Sequence, residues 1–450
     1  MPNKKLFCLF IHVGRFLKDK ADMIIMPLGL PMLAGVLDSN GFPSLVFNSA
    51  LSKLMGGEQT KDIIEKYSPD LIALDLHWHH QLSSVINEIS MIKKAFPKIP
   101  IAVGGFTASC FAEKLIALEN SPDYIIRGDG EKPLLELAKN LKYDDKSSVP
   151  NLTWKKKSAD GTAEIVSNPL SYIADINEIS GLNYARYDLV LNSDPAIRGT
   201  VSLNDSVNDI INDSRIKTVF YSPGRGCPYN CAFCGGGSKA QMIINGRKGY
   251  FFKTYESALD DIKGFIKQGF ERIHISFDPE PGQKWYAGFF SLMRKHKISI
   301  NIIFENWGLP SDEFLKSFAL TFQNNLQHSR IIISPESGSE DMRRKNKGFF
   351  YTNSQLEHSL QICSGLNIKF ELFFAASLPG DTAEDFLKTV ELASRIAASY
   401  DCKINMENII PDPCSPIVLN GGSIDSQTLE KAEKRKKYFH AKMRLLKKNK

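Results

Sequence analysis

The sequence predicts an α/β protein: a doubly wound parallel sheet, then a partial (β/α)6 barrel. Three observations carry this reading. Over residues 1–145 short, continuous apolar runs alternate with amphipathic stretches, over 146–215 the chain turns polar, and from 216 the alternation resumes. Apolar strands that are not themselves alternating, separated by helical patterns, are strands buried on both faces of a parallel sheet.

The first domain, 1–145, has five such runs: 5–12 (KLFCLFIH), 44–48 (SLVFN), 70–76 (DLIALDL), 99–103 (IPIAV) and 123–127 (DYIIR). Helical patterns lie near 28–39, 59–67, 82–95, 108–118 and 130–142. A ligand of such a five-stranded sheet belongs beyond the carboxyl ends of the strands. Residues 146–215, with KKK at 155–157 and several Asn and Asp turns, read as a connector with some local strand. The barrel domain, 216–400, contributes strands at 217–221, 272–277, 299–304, 330–334 and 369–375, with a sixth at 403–409; helices fill the gaps at 255–268, 284–296, 311–322, 353–364 and 382–399. Parallel barrels keep their chemistry at the strand carboxyl ends. Residues 401–450 form a C-terminal segment with a basic helix.

Bulk properties exclude several classes. The opening MPNKKLFCLFIHVG has basic residues before an apolar run, but the run is short, β-branched and aromatic, and fits a first buried strand better than a signal peptide. No stretch nears the roughly 18 apolar residues of a membrane span, so no membrane association is expected. Of 56 Lys/Arg and 50 Asp/Glu, ten bases and one acid lie in 431–450, leaving 46 bases against 49 acids elsewhere. The net +6 is therefore a property of the tail. A contact to RNA or an acidic partner is one reading of it. A solvated last helix with Phe439, Met443 and Leu446 packing down one side is the better one, because no aromatic interleaving accompanies the charge. Eight cysteines, three of them clustered, fit a reducing cytoplasm better than a disulfide framework.

The cluster reads RGCPYNCAFCGGG at 225–237, with Cys227, Cys231 and Cys234 spaced C-x3-C-x2-C directly after the first barrel strand. A disulfide needs two cysteines, and a closed zinc site needs four ligands. A distant fourth ligand, Cys363, Cys402, Cys414 or a histidine, would complete zinc. Three thiolates on an iron–sulfur cluster would instead leave one iron open, which is what catalysis requires. The position at the carboxyl end of a six-unit barrel favours the cluster. Glycines Gly224, Gly226 and Gly235–Gly237 allow tight turns and close approach.

This motif, with an aromatic before its third cysteine, resembles the radical S-adenosylmethionine (SAM) superfamily. The resemblance implies that the three cysteines hold a [4Fe–4S] cluster whose open iron is chelated by SAM, cleaved to a 5′-deoxyadenosyl radical. Further pieces recur in order. Phe233 takes the place of an aromatic near the adenine, with Gly235 beside it. DPEPG at 278–282 stands where many members carry Gly-Gly-Glu-Pro, placing Glu280 at the methionyl amino group; the two glycines are missing here. ISPESGSEDMRRKNKG at 333–348 is similar to the family's E-S-G-S stretch, making Glu336 and Ser337 ribose or methionyl contacts. SLPGDTAEDF at 377–386 resembles its glycine-proline turn.

A parallel sheet ahead of this barrel resembles the cobalamin-binding class of that superfamily. The pieces are PLGLPMLAGVLDSNGF at 27–42, VGGFTASCFAEKL at 103–115 and DYIIRGDGEKPLLEL at 123–137. The resemblance implies that Gly104 and Gly105 let the cobalamin nucleotide tail lie against the sheet. The D-x-H-x-x-G motif of methionine-synthase-type domains is absent; His12 and Gly14 do not fit its spacing. LHWHHQ at 76–81 follows the third strand, so His77 and Trp78 are candidate cofactor contacts, with His77 or His79 open as a cobalt ligand. A plain helix-start turn is the other reading.

The function this implies is methylation of an unactivated carbon by a cobalamin-dependent radical SAM enzyme, fed by an electron donor such as flavodoxin or ferredoxin. The alternatives are a non-methylating rearrangement or cyclisation, and a cobalamin- or cluster-binding protein without turnover; the intact triad opposes the last. A transfer-RNA methylthiotransferase would carry more N-terminal cysteines and a C-terminal β domain, and nucleic acid is not expected. The substrate, a small molecule or peptide, is not named by the sequence. Glu305, Glu371 and Glu407 stand inside apolar strands, where an unpartnered carboxylate is costly. Glu305 and Glu371, with Trp307, are the substrate candidates, against ion pairing and burial as the blander accounts. The loops 238–252, 304–308 and 411–416 are the candidate substrate loops.

Overall fold

The structure is a computed structural model that describes residues 5–17, 20–23, 26–54, 56–157, 163–191, 216–423 and 425–448. It divides into two compact units: residues 1–220 with 242–247 and 260–270, and residues 221–241, 248–259 and 271–450.

The first unit is built on a seven-stranded sheet. Its strands are β1 (Cys8–His12), β2 (Ser44–Asn48), β3 (Leu71–Asp75), β4 (Ile101–Gly104), β5 (Tyr124–Ile126), β6 (Leu152–Lys157) and β7 (Ala163–Ser167), in the spatial order β2-β1-β3-β4-β5-β6-β7. The first five are parallel and match the five apolar runs. The last two add antiparallel, so the local strand expected in the connector extends this sheet. Their polar composition hides them: β7 is almost wholly exposed, and only Leu152 and Trp154 of β6 carry an apolar signal into the core. Lysines on such an edge also discourage further pairing. The connector's residues 192–215 lie outside the described residues. Helices α1 (Gly29–Ser39), α2 (Thr60–Tyr67) and α3 (Leu82–Ala95) link parallel strands, and α4 (Glu131–Lys139) follows the last of them. Leu9, Ile11, Ile72, Leu74, Ile101 and Val103 form the core of one sheet face. The expected helix at 108–118 is two short pieces, Phe106–Cys110 and Ala112–Ile116.

All six barrel strands form: β8 (Thr218–Tyr221), β9 (Arg272–Ile275), β10 (Asn301–Asn306), β11 (Arg330–Glu336), β12 (Lys369–Ala375) and β13 (Lys403–Glu407), paired in that order. Those from β9 to β13 are parallel. The sheet thus runs past residue 400 and takes its last strand from the expected C-terminal segment. Helices α5 (Ser238–Asn245), α6 (Tyr255–Lys267), α7 (Lys284–Lys295), α8 (Asp312–Thr321), α9 (Glu340–Asn346), α10 (Asn353–Gly365), α11 (Ala383–Ser399) and α12 (Ser426–Lys448) complete the domain. α10 and α11 start on capping boxes, Thr352 with Gln355 and Thr382 with Asp385. In β11 burial alternates: Ile331 and Ile333 are fully buried, while Arg330, Ile332, Ser334 and Glu336 are partly open. The strand register puts Glu305, Ile332, Glu371 and Lys403 side by side on the partly open face.

The basic tail is the solvated helix. Ala432, Arg435, Phe439 and Met443 of α12 are buried at helical spacing against α11 and β13, and Lys431, Lys434, Lys437 and Arg444 are exposed. Arg435 is an exception to the solvated charge: its guanidinium donates to the Ala376 carbonyl (3.2 Å), the Thr382 carbonyl (2.8 Å) and Asp381.

Packing between α7 and α8 is aromatic. Phe290 lies edge-on to Phe322 (ring centroids 5.1 Å) and beside Phe314 at 5.7 Å, with no exposed surface. Phe290→Ala should lower unfolding stability by about 3–5 kcal/mol, the cost of transfer plus a cavity. Urea unfolding followed by Trp fluorescence measures this; a loss below about 1 kcal/mol would contradict the packing described.

Candidate functional site

The cysteine loop begins where β8 ends. A short strand, Gly224–Gly226, pairs antiparallel with Tyr250–Phe252 and fixes the approach to Cys227. Gly224 is required there: a Cβ would meet the Phe251 carbonyl oxygen at 2.2 Å. Past it the loop has no ladder of its own and is held by other segments. The Ala232 N–H donates to the Asn346 carbonyl (2.8 Å), the Asp412 N–H to the Phe233 carbonyl (2.9 Å) and the Ile417 N–H to the Ala232 carbonyl (3.0 Å). The Gly235 N–H donates to Asp412 Oδ2 at 3.0 Å. Gly348, two residues past α9, packs so tightly that a Cβ would lie 2.7 Å from the Asn230 nitrogen and from Tyr229 Cβ.

Two thiols receive backbone donors: Gly348 N–H to Cys231 Sγ at 3.2 Å and Gly236 N–H to Cys234 Sγ at 3.3 Å. Burial pushes the Cys227 thiol up to about 12 and the Cys234 thiol up to about 11, with neighbouring acidic groups adding to both. Cys227 and Cys234 therefore keep their protons at neutral pH in the metal-free protein, and a metal must displace those protons to gain thiolate donors. Among the described residues no three His, Cys, Asp or Glu side chains converge to hold a single ion. A four-iron cluster instead takes its ligands at separate corners, and soft sulfur donors with N–H groups aimed at the sulfurs fit it. Phe233 packs against Met342, Ala375 and Leu378, as an aromatic wall beside the triad.

The other expected contacts are distributed as follows. Glu280 Oε2 accepts the Trp285 N–H at 2.6 Å and so caps the first turn of α7. Glu336 sits at φ +64°, and its Oε1 lies 3.3 Å from Lys347 Nζ, which also donates to the Ser334 carbonyl (2.7 Å). Burial raises the Glu336 carboxyl against the pull of Lys347, and Lys347 stays charged through that partner. Ser337 turns away from this edge: its hydroxyl lies 3.2 Å from Thr389 Oγ1 in α11 and accepts the Ser339 N–H at 3.1 Å. The fully buried Arg343 ties this stretch together through the Pro335, Ser337 and Tyr351 carbonyls. The Trp307 ring lies edge-on to Phe277 at 5.5 Å, and its backbone N–H donates to Asp278.

The strand carboxylates are all partnered. Glu305 Oε1 lies 2.7 Å from His274 Nε2, and the carboxylate is the more open of the two. Glu371 is buried between Arg330 (3.6 Å), Lys403 (3.4 Å) and Asn405 Nδ2 (2.6 Å). Glu407 pairs with Lys436 of α12. Ion pairing thus accounts for Glu371 and Glu407, and the 411–416 loop, expected to meet substrate, braces the cysteine loop.

In the first unit, the strand order reverses between β1 and β3, the place where such sheets bind ligands. Gly104, at the end of the neighbouring β4, stands open: a methyl group on its Cα would find only the Ile126 carbonyl oxygen, at 3.8 Å. Gly105 serves its own chain: at φ +115° its Cβ would meet the Leu76 oxygen at 2.6 Å. The loops after β3 and β4 are laced by Thr107 N–H and Oγ1 donating to the His77 carbonyl (3.3 and 3.0 Å). The His77 ring rests against Trp78 (4.9 Å, edge-on) and Phe106 (5.0 Å). The Trp78 N–H donates to Gln81 Oε1, closing a cap on the short helix His79–Gln81. One arrangement is not legible in the sequence. His12 Nδ1 and Asp75 Oδ1 lie 2.8 Å apart at the ends of β1 and β3, and Gln81 Nε2 donates to Asp75 Oδ2 (3.0 Å). His12 Nε2 is buried without a partner among the described residues. An orphaned imidazole nitrogen at the switch point and an open Gly104 on the neighbouring β4 fit a bound cofactor there.

Family comparison agrees with this division. Residues 14–138 match the B12 binding domain and residues 221–393 the radical SAM superfamily. The chain is a radical SAM protein with a B12-binding domain. A radical SAM domain works with a [4Fe–4S] cluster and SAM, and a B12-binding domain with cobalamin. The chain is 21% identical over 388 residues to the anaerobic magnesium-protoporphyrin IX monomethyl ester cyclase of Rubrivivax gelatinosus, covering 82% of this chain and 61% of that one. It spans a similar share, 56%, of the cyclase of Cereibacter sphaeroides, at 22% identity. Its fold is similar to the radical SAM methyltransferase TsrM from Kitasatospora setae, solved with cobalamin and a [4Fe–4S] cluster (TM-score 0.67, 16% identity, 92% of this chain and 74% of that one). It is also similar to the cobalamin-dependent SAM radical enzyme OxsB (TM-score 0.60, 15% identity, 95% and 56%).

Gly348→Ala tests the bracing of the cysteine loop. The added methyl should force the loop outward and cut bound iron after anaerobic reconstitution to less than half, while circular dichroism stays unchanged. Undiminished iron would show that Gly348 does not hold Cys231.

Proposed function

We propose that this protein is a cytoplasmic, cobalamin-dependent radical SAM enzyme that methylates an unactivated carbon. The observation that carries the radical part is the three-cysteine loop at the barrel's carboxyl edge, with backbone donors on two sulfurs and no fourth ligand in its motif. When bound, the cluster with SAM supplies one-electron cleavage chemistry, and cobalamin supplies a methyl carrier. Cys227, Cys231 and Cys234 would hold the cluster. The N–H groups of Gly348 and Gly236 offset thiolate charge and so ease reduction. Phe233 with Met342 and Leu378 keeps water from one side. Gly104 and the His12–Asp75 pair would face the cobalamin. Glu305 with His274, on the partly open face of the barrel sheet, is the polar group best placed to orient a substrate. A flavodoxin or ferredoxin would deliver the electrons. Among the described residues no helix is long and apolar enough to cross a membrane.

Likeness to the cyclases over 82% of the chain favours one second reading, a radical ring closure that transfers no methyl group. The two differ in what becomes of SAM. The chain would be reconstituted anaerobically with iron, sulfide and hydroxocobalamin, then given a low-potential reductant and SAM alone. A methyltransferase should yield S-adenosylhomocysteine as its cobalamin is methylated, besides 5′-deoxyadenosine. Formation of 5′-deoxyadenosine without S-adenosylhomocysteine would favour ring closure, and formation of neither would overturn the radical assignment. Glu305→Gln should leave iron, cobalt and this substrate-free SAM cleavage unchanged; loss of iron would instead give Glu305 a structural role.

A further inference from the structure

Asp278, in the loop after β9, replaces a glycine of the family pattern and is almost wholly buried. Its two oxygens differ sharply. Oδ2 accepts from Gln283 Nε2 (3.3 Å), Asn306 Nδ2 (3.3 Å) and the Trp307 N–H (3.1 Å). Oδ1 is buried and receives nothing, and so is the Oδ1 of Asn306, the last residue of β10. Two naked acceptors on the same acid–amide pair are destabilising, and an ionised carboxylate makes them more so. The titratable groups facing Asp278 are Glu280 on its own loop, Tyr286 of α7 and Tyr229 of the cysteine loop, none of them a cation.

One proton resolves both defects. Placed on Oδ1, it makes that oxygen a donor, and the only acceptor on the facing amide that lacks one is Asn306 Oδ1. We propose that Asp278 works as a neutral carboxylic acid, closed into a pair of opposed hydrogen bonds with the Asn306 amide, and that this pair positions the segments carrying Trp307 and Gln283 beside the candidate cofactor site. Burial and the nearby Glu280 support the protonated form, raising the group to about 7 against the hydrogen bonds on Oδ2. The folded value is raised, so the stability this group contributes is complete below about pH 4, where the unfolded acid titrates, and is lost as pH rises through about 7. Above that the pair opens, and the Trp307 and Gln283 segments lose their anchor. Asp278 is a positioning residue in this account, and its link to SAM rests on the proposed function, whereas its protonation does not.

Infrared spectra of the reconstituted full chain, with 13C-labelled aspartate, test the protonation directly. The expected result is an isotope-sensitive carboxylic-acid C=O band at pH 6 that fades by pH 8.5 and is absent from Asp278→Asn. SAM affinity should fall by roughly an order of magnitude over the same range in the natural chain. In Asp278→Asn, whose amide can pair with Asn306, it should be high and flat. Asn306→Ala should retain the fold and keep the band at pH 6, moved to higher frequency because the acid loses its partner amide. A carboxylate at pH 6 overturns the proposal and leaves the two bare oxygens to a cationic group of a ligand. Asp278→Asn that still loses affinity with rising pH overturns the positioning role, and failure of every form to bind SAM with the acid band intact counts against the radical reading instead.

Discussion

Three sulfur ligands of like charge must be held together on a loop that has no hydrogen-bonding ladder of its own. Everything around the site answers that constraint. A strand-like start at Gly224–Gly226 aims the chain, and remote segments then bind it from outside: Asn346 and Gly348 after β11, and Asp412 and Ile417 after β13. Backbone N–H groups are the right tool. They carry partial positive charge to the sulfurs without bringing in a side chain that competes for the metal. Such close approach demands glycine, since Gly224, Gly235 and Gly348 all stand where a Cβ would collide with backbone.

The same logic of strand ends organises the first unit. Parallel strands expose their last residues to one edge, and the residues there are those with unusual side chains: His12, Asp75 and Gly104. A fully buried histidine with one nitrogen tied to a carboxylate and the other bare works against stability, because a buried lone pair without a donor costs about 1–3 kcal/mol. Asp278 and Asn306 show a similar defect in the barrel unit. Arg343 and Glu371, both buried, are by contrast surrounded by partners.

Much of this is legible in the sequence. Continuous apolar runs such as SLVFN and RIIIS read as buried parallel strands because burial on both faces removes the alternation that other strands show. The cysteine spacing names its own chemistry. What cannot be read are pairings between distant residues. Gly348 and Cys231 are 117 positions apart, Gly235 and Asp412 are 177 apart, and His12 and Asp75 are 63 apart. No local pattern marks such partners. The strands at 152–157 and 163–167 read as connector because an exposed edge tolerates lysine and glutamate as readily as a loop does. Ser337 stands in the right motif, yet its hydroxyl serves α11, which only the packing of the helix reveals.

The central claim is that three thiolates hold a four-iron cluster with one iron left for SAM. Electron paramagnetic resonance of the dithionite-reduced, reconstituted chain tests it most directly. SAM labelled with 17O in its carboxylate, added to the reduced protein, should shift the cluster's g-values and broaden its lines by coupling to the open iron. A cluster signal that SAM leaves unchanged, with no 17O broadening, would mean a fully ligated cluster and would contradict the account.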